Sequence, residues 1–129
     1  HGVDTMSGRP YTGYAYNSSY IGIAPYEEAA PGGSCARIIK IKNTSGTVLV
    51  ADSGYWSWTS TIDTNSYLRA PSDPAYSWIG PNVHYRHNLT ASVAYCDGHV
   101  DIVTTKYNAS SNSEQLADLS TNDTAYDLD

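Results

Sequence analysis

The chain has 129 residues, of which 13 are Asp or Glu and only 7 are Lys or Arg, so its net charge is −6; it also contains 12 Tyr, 3 Trp and no Phe. This length fits one domain, 1–129, whose core needs no metal ion to hold it together. The acidic balance argues against nucleic acid or anionic lipid as a partner, because the chain has no basic patch to release their counterions.

The first half of the chain predicts strands joined by turns. Its content of Tyr, Thr, Ser and turn residues is typical of a mostly β protein. Residues 1–13 contain Gly and Pro and are expected to form an irregular arm, and a strand is expected over 14–20. The β-branched run 47–52 predicts a central strand that is buried on both faces. No run of 18 apolar residues is present, so we expect no membrane contact from this segment.

A long aromatic connection, 54–86, follows the central strand and contains all three Trp but no Lys or Glu. Connections of this length are uncommon in a compact domain unless they carry a function. Tyr and Trp are favoured at the centres of protein interfaces, and we expect five of them to contact another copy of the chain: Tyr55, Trp56, Trp58, Tyr76 and Trp78. Exposed aromatic rings also stack on sugars, so an exported carbohydrate-binding module is an alternative function.

A β-hairpin is predicted over 91–96 and 99–104. Asp97-Gly98 suits a two-residue type I′ turn, because both central residues of that turn need positive φ. This register pairs Cys96 with His99, Tyr95 with Val100, Ala94 with Asp101 and Val93 with Ile102. Directly opposed residues share a face, so we expect one face to be core: Val93, Tyr95, Val100 and Ile102. The other face, which is partly wet, holds Ala94, Cys96, His99 and Asp101.

The C-terminal tail, 105–129, predicts a short helix that Ser111 or Ser113 caps and that Leu116 and Leu119 hold to the domain. Its acidic end is expected to be mobile or ordered by a neighbour. No cofactor is expected, but the tail leaves calcium open as a ligand because calcium takes several oxygen ligands from flexible loops. The candidate carboxylates are Glu114, Asp118, Asp123, Asp127 and Asp129.

The histidines do not predict a metal site or a catalytic site. His84, His87 and His99 lie close together in the sequence, but no HExxH motif groups ligands around them. Asp52 and His87 match two of the three residue types of a catalytic triad. We expect instead a structural role, in which a buried His87 is hydrogen-bonded to Asp52. His1 resembles the N-terminal ligand of copper monooxygenases, so a secreted copper-dependent enzyme is a further alternative.

The two cysteines, Cys35 and Cys96, are too far apart for a CxxC redox or zinc motif. We expect them to form one disulfide, because the other features of the sequence are typical of extracellular proteins. Two buried thiols are the alternative.

Three ordered blocks of this sequence resemble the bacterial prepilin-type proteins that are named for a His-nine-residues-Asp-Gly motif. The stretch from Arg86-His87-Asn88 to Cys96-Asp97-Gly98-His99-Val100 is similar to the family's "RHNGGANVLFCDGHV". The run "IIKIKNTSGTVLVADS" (38–53) is similar to "LSQIKNPSETVLFADS", and "YAYNSSYIG" (14–22) is similar to "SYGYNGYLG". The blocks cover most of residues 14–104.

The resemblance implies an N-terminal leader and an apolar helix, followed by an exported globular head, and we expect these 129 residues to be the head. It implies an α+β, mostly β fold with a twisted antiparallel sheet, little helix and long irregular loops. Its four motif residues would be structural: His87, Asp97, Gly98 and Asp52. The implied function is a non-enzymatic subunit of an extracellular bacterial filament, tube, pseudopilus or type II secretion assembly. The implied partners are copies of itself or other pilin-like subunits.

Overall fold

The computed structural model describes residues 13–22 and 40–129 of the chain. These residues form short strands, a four-residue helix, α1 (Tyr76–Ile79), and a 3-10 helix at Asp123–Ala125. In chain order, the strands are β1 (Tyr14–Asn17), β2 (Val48–Asp52), β3 (Tyr55–Trp56), β4 (Ile62–Asp63), β5 (Tyr67–Leu68), β6 (Val83–His84), β7 (Ala91–Tyr95), β8 (Val100–Val103) and β9 (Leu116–Ala117).

Five strands form one open, twisted sheet in the order β5-β1-β2-β7-β8. β2 lies at its centre, as the β-branched run predicts, although Leu49 of this strand is exposed rather than buried. Neighbouring strands are antiparallel except for β1 and β5, which are parallel. The pairs β3–β4 and β6–β9 form two small separate sheets. The predicted class, α+β and mostly β with little helix, is confirmed. Within the described ranges, no helix has the length and hydropathy to cross a bilayer.

The core lies on the face of the sheet where Ala15, Ala51 and Val93 stand in register on β1, β2 and β7. Val48 of β2 and Leu68 of β5 add larger apolar side chains from the same sheet. The two largest buried side chains, Tyr85 and Tyr126, come from outside the sheet and join the same cluster. Residues remote in sequence therefore complete this core.

The connection 54–86 and the tail 105–129 both contribute to the core. The connection supplies Leu68, on β5 of the sheet, and Tyr85, and the tail supplies Tyr126. Parts of both segments are therefore needed to fill the close-packed interior.

The prediction of a C-terminal helix is wrong, because Leu116–Ala117 forms strand β9, which pairs with β6. The Oγ of Ser113 accepts the backbone N–H of Gln115 at 3.2 Å, as a helix cap does, but the turn does not continue. Pairing with β6 buries Leu116 completely. The tail end is held as well, since Tyr126 is fully buried.

The β7–β8 hairpin is confirmed, but its turn type and register differ from the prediction. The backbone N–H of Tyr95 donates to the carbonyl of His99 at 3.0 Å, so the loop has three residues, 96–98, rather than two. Gly98 alone has positive φ in this loop, at 93°, as in a type I turn that ends in a left-handed residue. The register moves by one residue, which turns strand side chains to the opposite face. Val100 and Ile102, predicted to be core, are 69% and 66% exposed.

Candidate functional site

Asp52, the last residue of β2, is fully buried, and both of its carboxylate oxygens have partners. Its Oδ1 accepts a hydrogen bond from Nη2 of Arg86 at 2.6 Å, and its Oδ2 accepts the backbone N–H of Ser92 at 2.8 Å. The same Nη2 donates to the carbonyl of Gly13 at 2.8 Å, and the guanidinium lies 5.3 Å from the ring centroid of Tyr14. The carboxylate therefore ties β2 to β7 and, through Arg86, to the start of β1.

His87 is not the buried partner of Asp52 that the sequence predicted. Its Nε2 lies 3.6 Å from Oδ2 of Asp52, and its side chain is 58% exposed. Arg86 takes that role because a guanidinium is always charged and makes short hydrogen bonds to a carboxylate. The signal was available, since Arg86 immediately precedes His87 in the motif stretch.

A tight turn follows His87 and directs the chain into β7. The backbones of His87 and Thr90 exchange two hydrogen bonds, of 3.2 and 3.1 Å. Between them, Asn88 and Leu89 have φ of 54° and 62°, which is the pattern of a type I′ turn. The turn type predicted for Asp97-Gly98 thus occurs nine residues earlier. Leu89 occupies a left-handed position that favours glycine, and the family stretch quoted above has glycine there.

Asp97 and His99 interact locally at the tip of the β7–β8 hairpin. Oδ1 of Asp97 accepts the backbone N–H of His99 at 3.0 Å and lies 2.5 Å from Nδ1 of its ring. Both contacts lower the pKa of Asp97, and the hydrogen bond from the backbone of His99 lowers it most. The His99 ring stacks on Tyr95 with 4.6 Å between centroids. Asp97 and Gly98 are therefore turn residues in the structure, and His87 lies in a different turn.

Two candidates depend on residues outside the described part of the chain. Cys96 is half-buried, and burial raises the pKa of its thiol. It has no disulfide partner among the described residues, and Cys35 lies outside them. The disulfide between the two cysteines stays a prediction. His1, the copper-ligand candidate, also lies outside, as do residues 1–12 of the predicted arm.

A second buried carboxylate, Asp118, follows β9 and is completely inaccessible to solvent. Its Oδ2 accepts hydrogen bonds from the Tyr76 hydroxyl at 2.5 Å and from Nδ2 of Asn108 at 2.9 Å. Its Oδ1 is buried without a hydrogen-bond partner. Burial raises the pKa of Asp118 to about 6, against the interactions with Tyr76, with Asn108 and with the backbone of Asn82, which lower it. This carboxylate fastens α1, which carries Tyr76, to the loop that carries Asn108.

A groove of about 480 Å³ lies between these two fastened segments, α1 with the residues just after it and the loop 108–112. Trp56 and Trp78 contribute its aromatic surface, and Trp78 is 88% exposed. The described residues that line the groove include Asn and Ser but no charged side chain. The sequence did not reveal this site, because its two sides lie about thirty residues apart and the loop 108–112 carries no motif of its own.

The five aromatic residues predicted to contact another copy have different environments. Trp58, at the β3–β4 turn, is 95% exposed, and Trp78 projects from α1. Trp56 and Tyr55 are half-buried on β3. Tyr76 is half-buried, and its hydroxyl is bound to Asp118. Trp58 and Trp78 are thus the two that remain open to a partner.

The carboxylates considered for calcium are distributed among separate contacts. Oδ2 of Asp123 accepts the Tyr20 hydroxyl at 2.6 Å, Asp129 pairs with Lys42 at 3.3 Å, and Asp118 accepts hydrogen bonds from Tyr76 and Asn108. Within the described residues, no three His, Cys, Asp or Glu side chains are grouped to hold a metal ion. Calcium binding stays a prediction.

Comparison with protein-family models, with curated proteins and with solved structures gave no significant match to this chain. The likeness to the His-nine-residues-Asp-Gly proteins therefore stays a resemblance of motifs.

Proposed function

We propose that the chain is a non-enzymatic structural subunit, exported from a bacterium, that assembles with copies of itself into an extracellular filament or tube. The observation that carries this proposal is the exposure of large apolar side chains on two different segments. Trp58 projects from the β3–β4 turn, and Val100 and Ile102 project from β8. Contiguous exposed apolar groups on a small domain are typical of surfaces that bind a partner.

Two unlike surfaces suit a repeating head-to-tail contact. A contact between different patches on successive copies propagates into a filament or tube when its rotation does not close. β8 adds a second contact surface, because it is the last strand of the sheet in the described part of the chain. An edge strand presents unpaired backbone groups that can pair with another chain.

The motif residues support a scaffold role in this proposal. Asp52 is saturated by Arg86 and Ser92, and Asp97 serves its own turn. Hydrogen bonds from two structural partners suit a carboxylate that joins strands. The motif thus fixes the ends of β2 and β7 and thereby the position of β8.

Sedimentation velocity of the intact chain over a range of concentrations tests the proposal. We expect concentration-dependent oligomers in the parent and a shift to monomer in Ile102→Lys, because a charge cannot be buried at an apolar contact without a partner. Thr104→Lys is the matched control, because it adds the same charge at an exposed position just beyond β8. A parent that stays monomeric at all concentrations, or equal effects of both substitutions, would contradict the proposal.

A further inference from the structure

We infer that the groove between α1 and the loop 108–112 is a binding site for a neutral oligosaccharide. This inference goes beyond self-assembly and does not depend on it. The groove has about 480 Å³ of space, within the range of sites for small ligands.

The surface of the groove combines flat apolar rings with hydrogen-bonding groups. Two indoles, Trp56 and Trp78, provide the rings. Two hydroxyls and one amide from the facing loop provide the polar groups: Ser110, Ser111 and Asn112. A pyranose has C–H faces that pack on an aromatic ring and peripheral hydroxyls that bond to amides and Ser side chains. The two sides of the groove match the two parts of such a ligand.

The charges select among ligands that stack on aromatic rings. Among the described residues, no Lys or Arg lines the groove, and the chain has a net charge of −6. Single-stranded nucleic acid stacks on aromatic side chains too, but its binding sites add a basic groove that follows the phosphates. An acidic sugar would also lack a cation to pair with here. The ligand class that remains is uncharged and rich in hydroxyl groups.

The groove is held in shape before any ligand enters. Asp118 binds Tyr76 of α1 on one side and Asn108 of the loop on the other. The Asn108 amide also donates to the carbonyl of Thr121 at 3.0 Å, and its φ of 48° fixes a bend in the loop. The backbone N–H of Ser110 donates to the carbonyl of Leu116 at 2.9 Å, which joins the loop to β9. A site fixed in this way loses less free energy to ordering on binding.

Isothermal titration calorimetry and Trp fluorescence of the intact chain test the inference with three neutral probes, cellohexaose, chitohexaose and maltohexaose. We expect at least one to bind with a Kd below about 1 mM. Trp78→Ala should weaken that binding about tenfold or more, because one stacking ring is lost. Asn112→Ala should weaken it as well. Trp58→Ala, which removes an equally exposed indole outside the groove, should leave it unchanged.

Circular dichroism of each variant shows whether it is folded, and the exposure of Trp78 makes its substitution compatible with folding. Tetragalacturonic acid serves as the charged comparison. Absence of heat and of fluorescence change with all three hexaoses would overturn the inference. Equal binding of the acidic tetramer, full binding by Trp78→Ala, or equal loss in Trp58→Ala would overturn it too.

Discussion

Replacement of Asp118 by Asn removes the one described carboxylate that is both fully buried and left with an unpartnered oxygen. An Asn can still accept the hydrogen bonds from Tyr76 and Asn108 through its carbonyl oxygen. The substitution therefore keeps these two contacts and removes the ability to ionise, while an amide NH2 replaces Oδ1 and adds a contribution that does not change with pH. Its effect on stability should depend on pH.

The size of this effect follows from the pKa of Asp118, about 6 in the folded chain against 3.8 for the ordinary carboxyl. One pKa unit corresponds to 1.36 kcal/mol, so the difference corresponds to about 3 kcal/mol. Because the folded-state pKa is raised, the folded chain binds this proton more tightly than the unfolded chain does. The stabilisation is fully present below about pH 4 and is lost as the pH rises through about 6.

Urea unfolding followed by Trp fluorescence measures this difference at a series of pH values. The unfolding free energy of Asp118→Asn minus that of the parent should increase by about 3 kcal/mol between about pH 3.5 and about pH 7.5. The exposed Asp63, replaced by Asn in the same way, controls for the loss of one negative charge from the chain. Parallel curves for Asp118→Asn and the parent would refute the reasoning.

Four further substitutions test three local features by the same unfolding measurement. Arg86→Met should lower the unfolding free energy by on the order of 3 kcal/mol, because it leaves buried Asp52 without its counterion. His87→Ala should lower it by less than about 1 kcal/mol. The reverse order would show that His87, not Arg86, is the structural partner of Asp52. Leu89→Gly should stabilise the chain by about 1 kcal/mol by relieving a left-handed residue, and a loss of stability would argue against the type I′ turn. Gly98→Ala should cost about 1 kcal/mol or more from its φ of 93° alone, since an added Cβ meets nothing within 4 Å; an unchanged value would argue against the three-residue loop.

The sequence predicts those parts of the fold that depend on neighbouring residues. The β-branched run gave the central strand, and Asp97-Gly98 gave the position of the hairpin turn. The turn type could not be derived, because Asp-Gly suits both a two-residue and a three-residue loop. The strand Val100–Val103 has apolar residues on both of its faces, so its alternation did not decide between the two registers.

The parts that failed depend on contacts between distant residues. Tyr76 and Asp118 are 42 positions apart, and no local pattern indicates that a carboxylate after β9 binds a phenol on α1. The tail predicted a helix from its cap and its Leu spacing, but pairing with β6 overrode that local preference. The motif spacing starts at His87 and therefore predicts His87, not Arg86, as the partner of Asp52. The guanidinium of Arg86 is nevertheless the better partner for a buried carboxylate.

Electron microscopy of the native material, together with cross-linking of a chain that carries a cross-linker at position 58, tests self-assembly most directly. We expect filaments or tubes by microscopy. We expect the cross-links to join the β3–β4 turn of one copy to β8 of the next. Monodisperse single copies, with no cross-link from position 58 to another chain, would contradict it.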